Sequence, residues 1–169
     1  PSGGVTFQYN EKNQLALNYS KRIQRPNYST LNPFVFKIDE LSYSKGNPFL
    51  KPQYTNDIKL SNTYNYKLNT SISYSYITDF FAQVTQADGQ NRNFISPQNI
   101  ANQQVISFEI SAPQKITKWW NTYLSLNAYE SIYSSSNANY KNVKQKTLSF
   151  YAQNTFNLPK KYTLEVSGW

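Results

Sequence analysis

The sequence predicts an all-β fold of antiparallel strands, each with one apolar and one polar face, and three observations carry that expectation. Apolar and small polar residues alternate with a period of two along several stretches, the spacing at which a pleated strand sends side chains to opposite sides. Charged residues make up only 15% of the 169 while aromatics reach 17%, and aromatic residues suit strands. Breakers gather between the alternating stretches: Pro26, Pro33, Gly46, Pro48 and Pro52 all fall in one interval.

Taken in order, Pro1 leads almost directly into strand-like sequence, and the first clear strand runs from Leu15 to Ser20, with Leu15, Leu17 and Tyr19 on one side. Residues 21–56 hold too many breakers for a regular element and read as a long loop. A strand follows from Asp57 to Tyr64, then a tight turn at Asn65-Tyr66-Lys67. Leu68 to Ile77 is the cleanest strand: Leu68, Thr70, Ile72, Tyr74 and Tyr76 share one face, and Asn69, Ser71, Ser73 and Ser75 the other. Phe80 to Gln86 continues as strand, Asp88-Gly89 is a hairpin turn before Arg92 to Ile95, and Ser96-Pro97 reads as a break. Val105 to Ala112 alternates again, and Pro113 to Lys118 reads as a short connection before the strand Trp120 to Ser131. A polar loop over Ser134 to Lys146, a strand from Leu148 to Phe156, a tight turn at Leu158 to Lys161 and a last strand with Leu164 and Val166 complete the order.

The loops are sorted by length. Short turns lie near positions 65, 115 and 160, and the connections between them are long and polar. That sorting is what a transmembrane β-barrel shows, and the ten residues from Leu68 to Ile77 match the about 9–11 that a tilted crossing strand needs. The polar face is mostly small and uncharged (Ser71, Ser73, Ser75, Ser107, Ser125, Ser149), whereas a soluble sandwich meets water with a charged face. The apolar face carries no Lys or Arg in the central strand segments, where a charge facing lipid would cost about 2–4 kcal/mol.

Composition excludes several function classes. The mean hydropathy of −0.69 and the lack of an eighteen-residue apolar window exclude a helical membrane bundle, though not a barrel, whose alternating strands hide their lipid surface from an average. Without Cys or His, disulfides, thiolate chemistry, most zinc sites and the usual general base are excluded. The net charge of +8 comes from scattered residues, which argues against nucleic acid. No spacing among the carboxylates selects a catalytic pair, so no enzyme activity, cofactor or metal is expected.

The loop residues bring a resemblance. Arg22-Ile23-Gln24-Arg25-Pro26-Asn27-Tyr28, Leu31-Asn32-Pro33-Phe34 and Gly46-Asn47-Pro48-Phe49-Leu50-Lys51-Pro52 occur in order. They are joined by Asp88-Gly89, Ser96-Pro97-Gln98-Asn99-Ile100, Ser111-Ala112-Pro113, Lys115-Ile116-Thr117-Lys118-Trp119-Trp120, Leu158-Pro159-Lys160 and Leu164-Glu165-Val166-Ser167-Gly168-Trp169. Together these resemble the outer-membrane β-barrel family of Bacteroidetes-type bacteria, related to TonB-dependent receptors. The resemblance implies the C-terminal part of a barrel of about 22 strands in the outer membrane of a Gram-negative bacterium. It implies as partners the outer-membrane lipid, the remaining strands and plug of a longer chain, and TonB-type energy coupling or a surface lipoprotein. An opening without Met or signal fits an internal stretch of such a chain, as does Trp169, whose parity matches Thr163, Glu165 and Ser167 rather than Leu164 and Val166.

On this reading residues 1–169 are one partial barrel domain. Arg22, Arg25, Tyr28, Phe34, Phe36, Tyr43 and Phe49 are candidate contacts of the long extracellular loop, with rim solvation and packing within the loop as the plainer alternatives. Trp119, Trp120, Tyr123, Tyr162 and Trp169 lie near short turns or strand ends, where an aromatic girdle meets the membrane interface. The expected function is a transport barrel for a nutrient or chelate. The alternatives are a barrel that scaffolds a surface complex without transporting, and a soluble β-sandwich binding module.

Overall fold

The computed structural model describes residues 1–89, 91–135 and 141–169. In chain order the elements are β1 (Ser2–Asn10), β2 (Asn13–Gln24), a single helical turn α1 (Tyr28–Leu31), β3 (Phe36–Lys37), β4 (Ser42–Ser44), β5 (Gln53–Tyr64), β6 (Leu68–Ala87), β7 (Asn93–Lys115), β8 (Trp120–Ser134), β9 (Val143–Asn157) and β10 (Thr163–Gly168). The main path is an antiparallel meander, β1-β2-β5-β6-β7-β8-β9-β10, with β3 and β4 set to one side.

The register turns the alternation of single strands into two continuous surfaces. One row of paired residues reads Val5, Leu17, Leu60, Ile72, Phe108, Ala128, Leu148 across seven strands. The next row on that face holds Phe7, Leu15, Asn62, Thr70, Ile110, Leu126 and Phe150. Between them, on the opposite face, lie Thr6, Ala16, Ser61, Ser71, Glu109, Asn127 and Ser149. A slip of one residue in any strand would exchange its two faces, so this register is what the alternating sequence specifies.

Among the described residues no second layer covers the apolar surface. Their buried apolar side chains are Leu50, in the loop between β2 and β5, and Pro97 in the upper part of β7, while Val5, Phe7, Leu17, Leu60, Ile72, Phe108, Leu148 and Phe150 are exposed. The chain exposes 12258 Å², against about 8,600 Å² for a compact globular protein of this mass. A β-sandwich would bury this face against a second sheet about 10 Å away. The soluble-sandwich alternative is therefore overturned.

Several strands run further than their composition suggests. The stretch 21–56 is not a loop throughout: β2 continues to Gln24 and β5 begins at Gln53. The polar interval 134–146 is shortened in the same way, since β9 begins at Val143; residues 136–140 of that interval lie outside the described residues. The break at Ser96-Pro97 and the connection at Pro113 are also corrected, because β7 passes through both prolines. Proline is tolerated in a strand where its missing N–H needs no ladder partner. The Pro97 carbonyl points to the loop side, where it accepts from Asn47 Nδ2 at 3.1 Å, and the ring on its nitrogen points the same way. Ile116 N donates to Trp120 O at 3.0 Å, so alternation turns the Pro113 nitrogen toward β6, whose ladder ends at Ser111.

The turns close one edge tightly. Asn65 and Tyr66 both take positive φ, 51° and 54°, as a two-residue hairpin of matching twist requires, and Lys67 N donates to Tyr64 O at 3.0 Å. Lys160 and Lys161 do the same before β10, at 61° and 66°. On the other edge β6 and β7 are 20 and 23 residues long, about twice a membrane crossing. Their register shifts between Ile77 and Phe81, where Asp79 adopts a φ of 54°. That bulge divides the lower, two-faced part of the hairpin from an upper part that stands clear of it.

Candidate functional site

The upper part of the β6–β7 hairpin carries a folded cap made by the chain between β2 and β5. The β4 strand pairs parallel with β7, Ser42 to Asn93, Tyr43 to Phe94 and Ser44 to Ile95. Lys45 N donates to Ile95 O at 3.0 Å and Asn93 N to Leu41 O at 2.8 Å. Asn99 extends the attachment. Its side-chain oxygen accepts from Lys51 N at 2.9 Å, and its Nδ2 donates to Lys51 O at 3.1 Å and to Asp79 O at 2.7 Å. One amide thus ties the cap to the strand and to the bulge.

Within the cap, Asn27 caps α1 by accepting from Thr30 N at 2.9 Å. Gly46 N donates to Asn32 O at 2.8 Å, and Asn47 N to Thr30 O at 2.7 Å. These bonds fold the second half of the loop back over α1 and bury Leu50. Tyr43 stacks on Phe94 with ring centroids 5.5 Å apart. Lys45 Nζ lies 4.2 Å from the Phe94 centroid, and the Arg92 guanidinium lies 5.6 Å from that of Tyr43, within cation–π range. Arg92 also donates to Asp88 at 2.9 Å.

Of the sequence-predicted loop contacts, the structure brings Tyr43 into this cluster and leaves the others apart. Tyr28, Phe34, Phe36 and Phe49 are exposed on the cap, Phe49 at 87%. Arg25 is exposed just past β2, while Arg22 lies within β2, paired with Thr55 on the polar face. Phe94 and Lys45 did not stand out in the sequence, and Asn47 and Asn99 entered only within the motifs of the resemblance, without a role of their own. Their signal is a parallel pairing across about fifty residues, which no local pattern carries.

Asp39 fixes the β3–β4 corner. Its carboxylate accepts from the Ser42 hydroxyl and from Leu41 N at 2.7 Å. The Ser42 hydroxyl, then the Leu41 amide, hold its pKa below the ordinary 3.8. A depressed carboxyl contributes stability that is present above its unfolded value and lost as pH falls through the folded one. Protease susceptibility of the 34–44 segment is therefore expected to rise below about pH 3.8 and to lose that pH dependence in Asp39→Asn.

At the short-turn edge Trp119, Trp120 and Phe156 form a cluster with centroid distances of 5.8–6.4 Å. Trp120 Nε1 donates to Asn154 Oδ1 at 3.0 Å. Trp120, Phe156 and Leu164 share one row of the apolar face. Tyr162 is exposed in the last turn and Trp169 at the end of the chain. Tyr123 departs from the girdle expectation: it pairs with Gln153 on the polar face and packs on Tyr151 at 6.2 Å.

The polar face holds neutral hydrogen-bonding groups with few charges. Asp57 accepts from Ser75 Oγ at 2.5 Å, Lys59 lies 3.7 Å from Glu109, and Gln103 Nε2 donates to Tyr133 Oη at 2.9 Å. Among the described residues no cluster of acidic groups could hold a metal.

Comparison with known proteins gives this arrangement a setting. The model of the outer membrane protein beta-barrel family matches residues 1–169. No curated protein matches the sequence. Among solved structures the chain resembles the siderophore receptor PirA from Pseudomonas aeruginosa, with a TM-score of 0.64 and 10% identity over 99% of this chain and 37% of that one. It also resembles the ferric enterobactin receptor PfeA from Pseudomonas aeruginosa, solved with enterobactin, with a TM-score of 0.55 and 14% identity over 99% of this chain and 34% of that one. At these identities the likeness is one of fold, and the chain spans about a third of each receptor's length.

Proposed function

We propose that this chain, which belongs to the outer membrane protein beta-barrel family, is an arc of the wall of a transport barrel of TonB-dependent receptor type, taking up a nutrient or a chelate. Its place is the outer membrane. The observation that supports the reading is the continuous apolar surface of seven strands with no facing layer among the described residues, backed by a polar inner surface of Ser, Thr, Asn, Gln and Tyr. Lipid covers the first and a hydrated lumen the second.

In this assignment residues 1–169 form one partial barrel domain whose outer neighbours, β1 and β10, meet the remaining strands of a barrel of about 22. The kinship is with Bacteroidetes-type outer-membrane proteins, and a plug and TonB-type coupling complete the machine. The residues act by lining and positioning, with no catalysis. Arg22, beside Asp57 and Lys59 on the polar face, lies at the lumen mouth, and Arg25, Tyr28, Phe34, Phe36, Tyr43 and Phe49 belong to the extracellular cap. Trp119, Trp120 and Tyr162 sit at the headgroup level of the short-turn edge, whereas Trp169, one residue past the Gly168–Ala152 pair, stands level with the middle of the sheet.

Uptake by cells carrying the full-length protein tests this. Labelled ferric chelates and oligosaccharides should accumulate only with the gene present, and accumulation should stop when the proton gradient is collapsed. Gradient-independent behaviour with no accumulation of any labelled solute would reject it. The exposed aromatics of the cap favour a second reading, a barrel that holds a surface lipoprotein without transporting, and that result would support it.

A further inference from the structure

On the apolar face, β7, β8 and β9 enclose a shallow groove of about 440 Å³. Its floor is Ile106, Phe108, Ala128 and Leu148, and its upper end is closed by Glu130 and Lys146. Those two residues are register partners, with Lys146 Nζ 4.0 Å from Glu130 Oε1. Two positions further along β9, on the same face, is Lys144, paired with Ile132.

The groove lies on the outward surface, so its occupant comes from the bilayer. Its charged end is the end nearer the long connection between β8 and β9, which in a barrel is the extracellular side. The side chains are arranged as a lipid is: an apolar trough below, cations above. Glu130 sits half-buried at the boundary and holds one side of Lys146, whose side chain stays 81% exposed. That leaves the Lys144–Lys146 pair with two positive charges against one negative, a deficit that a phosphate would fill. Long lysine stems lie along apolar surface while the ammonium reaches headgroup level.

We infer that this groove binds one anionic, phosphate-bearing lipid of the leaflet on the long-loop side, its acyl chain along Phe108, Ala128 and Leu148 and its phosphate on Lys144 and Lys146. The inference rests on the outward orientation of the apolar face, not on transport, so failure of the uptake experiment leaves it standing.

The full-length barrel, purified in detergent and supplied with phosphatidylglycerol, phosphatidylcholine or inorganic phosphate, is examined by native mass spectrometry. Phosphatidylglycerol should be retained as one adduct in preference to phosphatidylcholine. Retention should drop about tenfold or more in Lys144→Gln/Lys146→Gln, drop as well in Ala128→Trp, which fills the groove, and persist in Lys118→Gln at the opposite edge. Heat-modifiable electrophoretic mobility confirms that each variant is folded. Equal retention of the two lipids, or unchanged retention in the double lysine variant, would overturn the site. Competition by inorganic phosphate at equal concentration would overturn the lipid assignment.

Discussion

Leu126→Arg is expected to destabilise the bilayer-inserted protein by about 2–4 kcal/mol, whereas Ser125→Arg, one residue away, should leave it nearly unchanged. The two positions differ only in the face they occupy. Leu126 pairs with Ile110 and Phe150 on the apolar surface, while Ser125 pairs with Ser111 and Tyr151 on the polar one. An arginine at the first must bring its charge into hydrocarbon or drag water and headgroups toward it. At the second it enters a hydrated lumen among hydroxyl and amide groups. Denaturant titration of the full-length protein refolded into vesicles measures both, and equal effects would refute the assignment of faces.

Gly46→Ala should release the cap while leaving the barrel wall intact. A Cβ at this position would stand 2.4 Å from Asn32 O, 2.7 Å from Asn32 N and 2.8 Å from Thr30 O. All three are backbone atoms, so no side chain can swing aside. The loop must move, and in moving it gives up the Gly46-to-Asn32 and Asn47-to-Thr30 hydrogen bonds. The cost is about 1–3 kcal/mol, which appears as roughly a 5- to 150-fold faster cleavage of the 25–52 segment by added protease. Gly3→Ala, where nothing lies within 4 Å, is the control and should cleave as the parent does.

The wall was legible in the sequence because its physics is local. Leu68 to Ile77 alternates without interruption, and Asn65-Tyr66-Lys67 and Leu158 to Lys161 hold turn-forming residues, so strands and short turns follow from neighbouring residues alone. Pro97 and Pro113 misled for a definite reason. Whether a proline ends a strand depends on which neighbour its nitrogen faces, and that is fixed by pairing partners far along the chain. The cap was illegible for a related reason. Its attachment is the parallel match of 42–44 with 93–95 and the amide of Asn99, contacts between segments some fifty residues apart. Phe34, Phe36 and Phe49 drew attention as aromatics in a loop, yet Tyr43 is the one that stacks on Phe94, because it alone of these is carried on the strand that pairs with β7. Tyr123 shows the complementary error: nearness to a turn suggests the interface, but strand parity decides which solvent it meets.

The central claim, that lipid covers one face and water the other, is most directly tested by a spin label walked along β6. The sequence has no cysteine, so single substitutions from 68 to 77 can each be labelled cleanly in the full-length protein reconstituted in vesicles. Accessibility to oxygen, which concentrates in lipid, should peak at 68, 70, 72, 74 and 76, and accessibility to a water-soluble nickel chelate at 69, 71, 73 and 75. Ten positions in a row with no such alternation, or low accessibility to both relaxants at 70, 72 and 74, would mean that protein rather than membrane covers the apolar face, and would contradict the account.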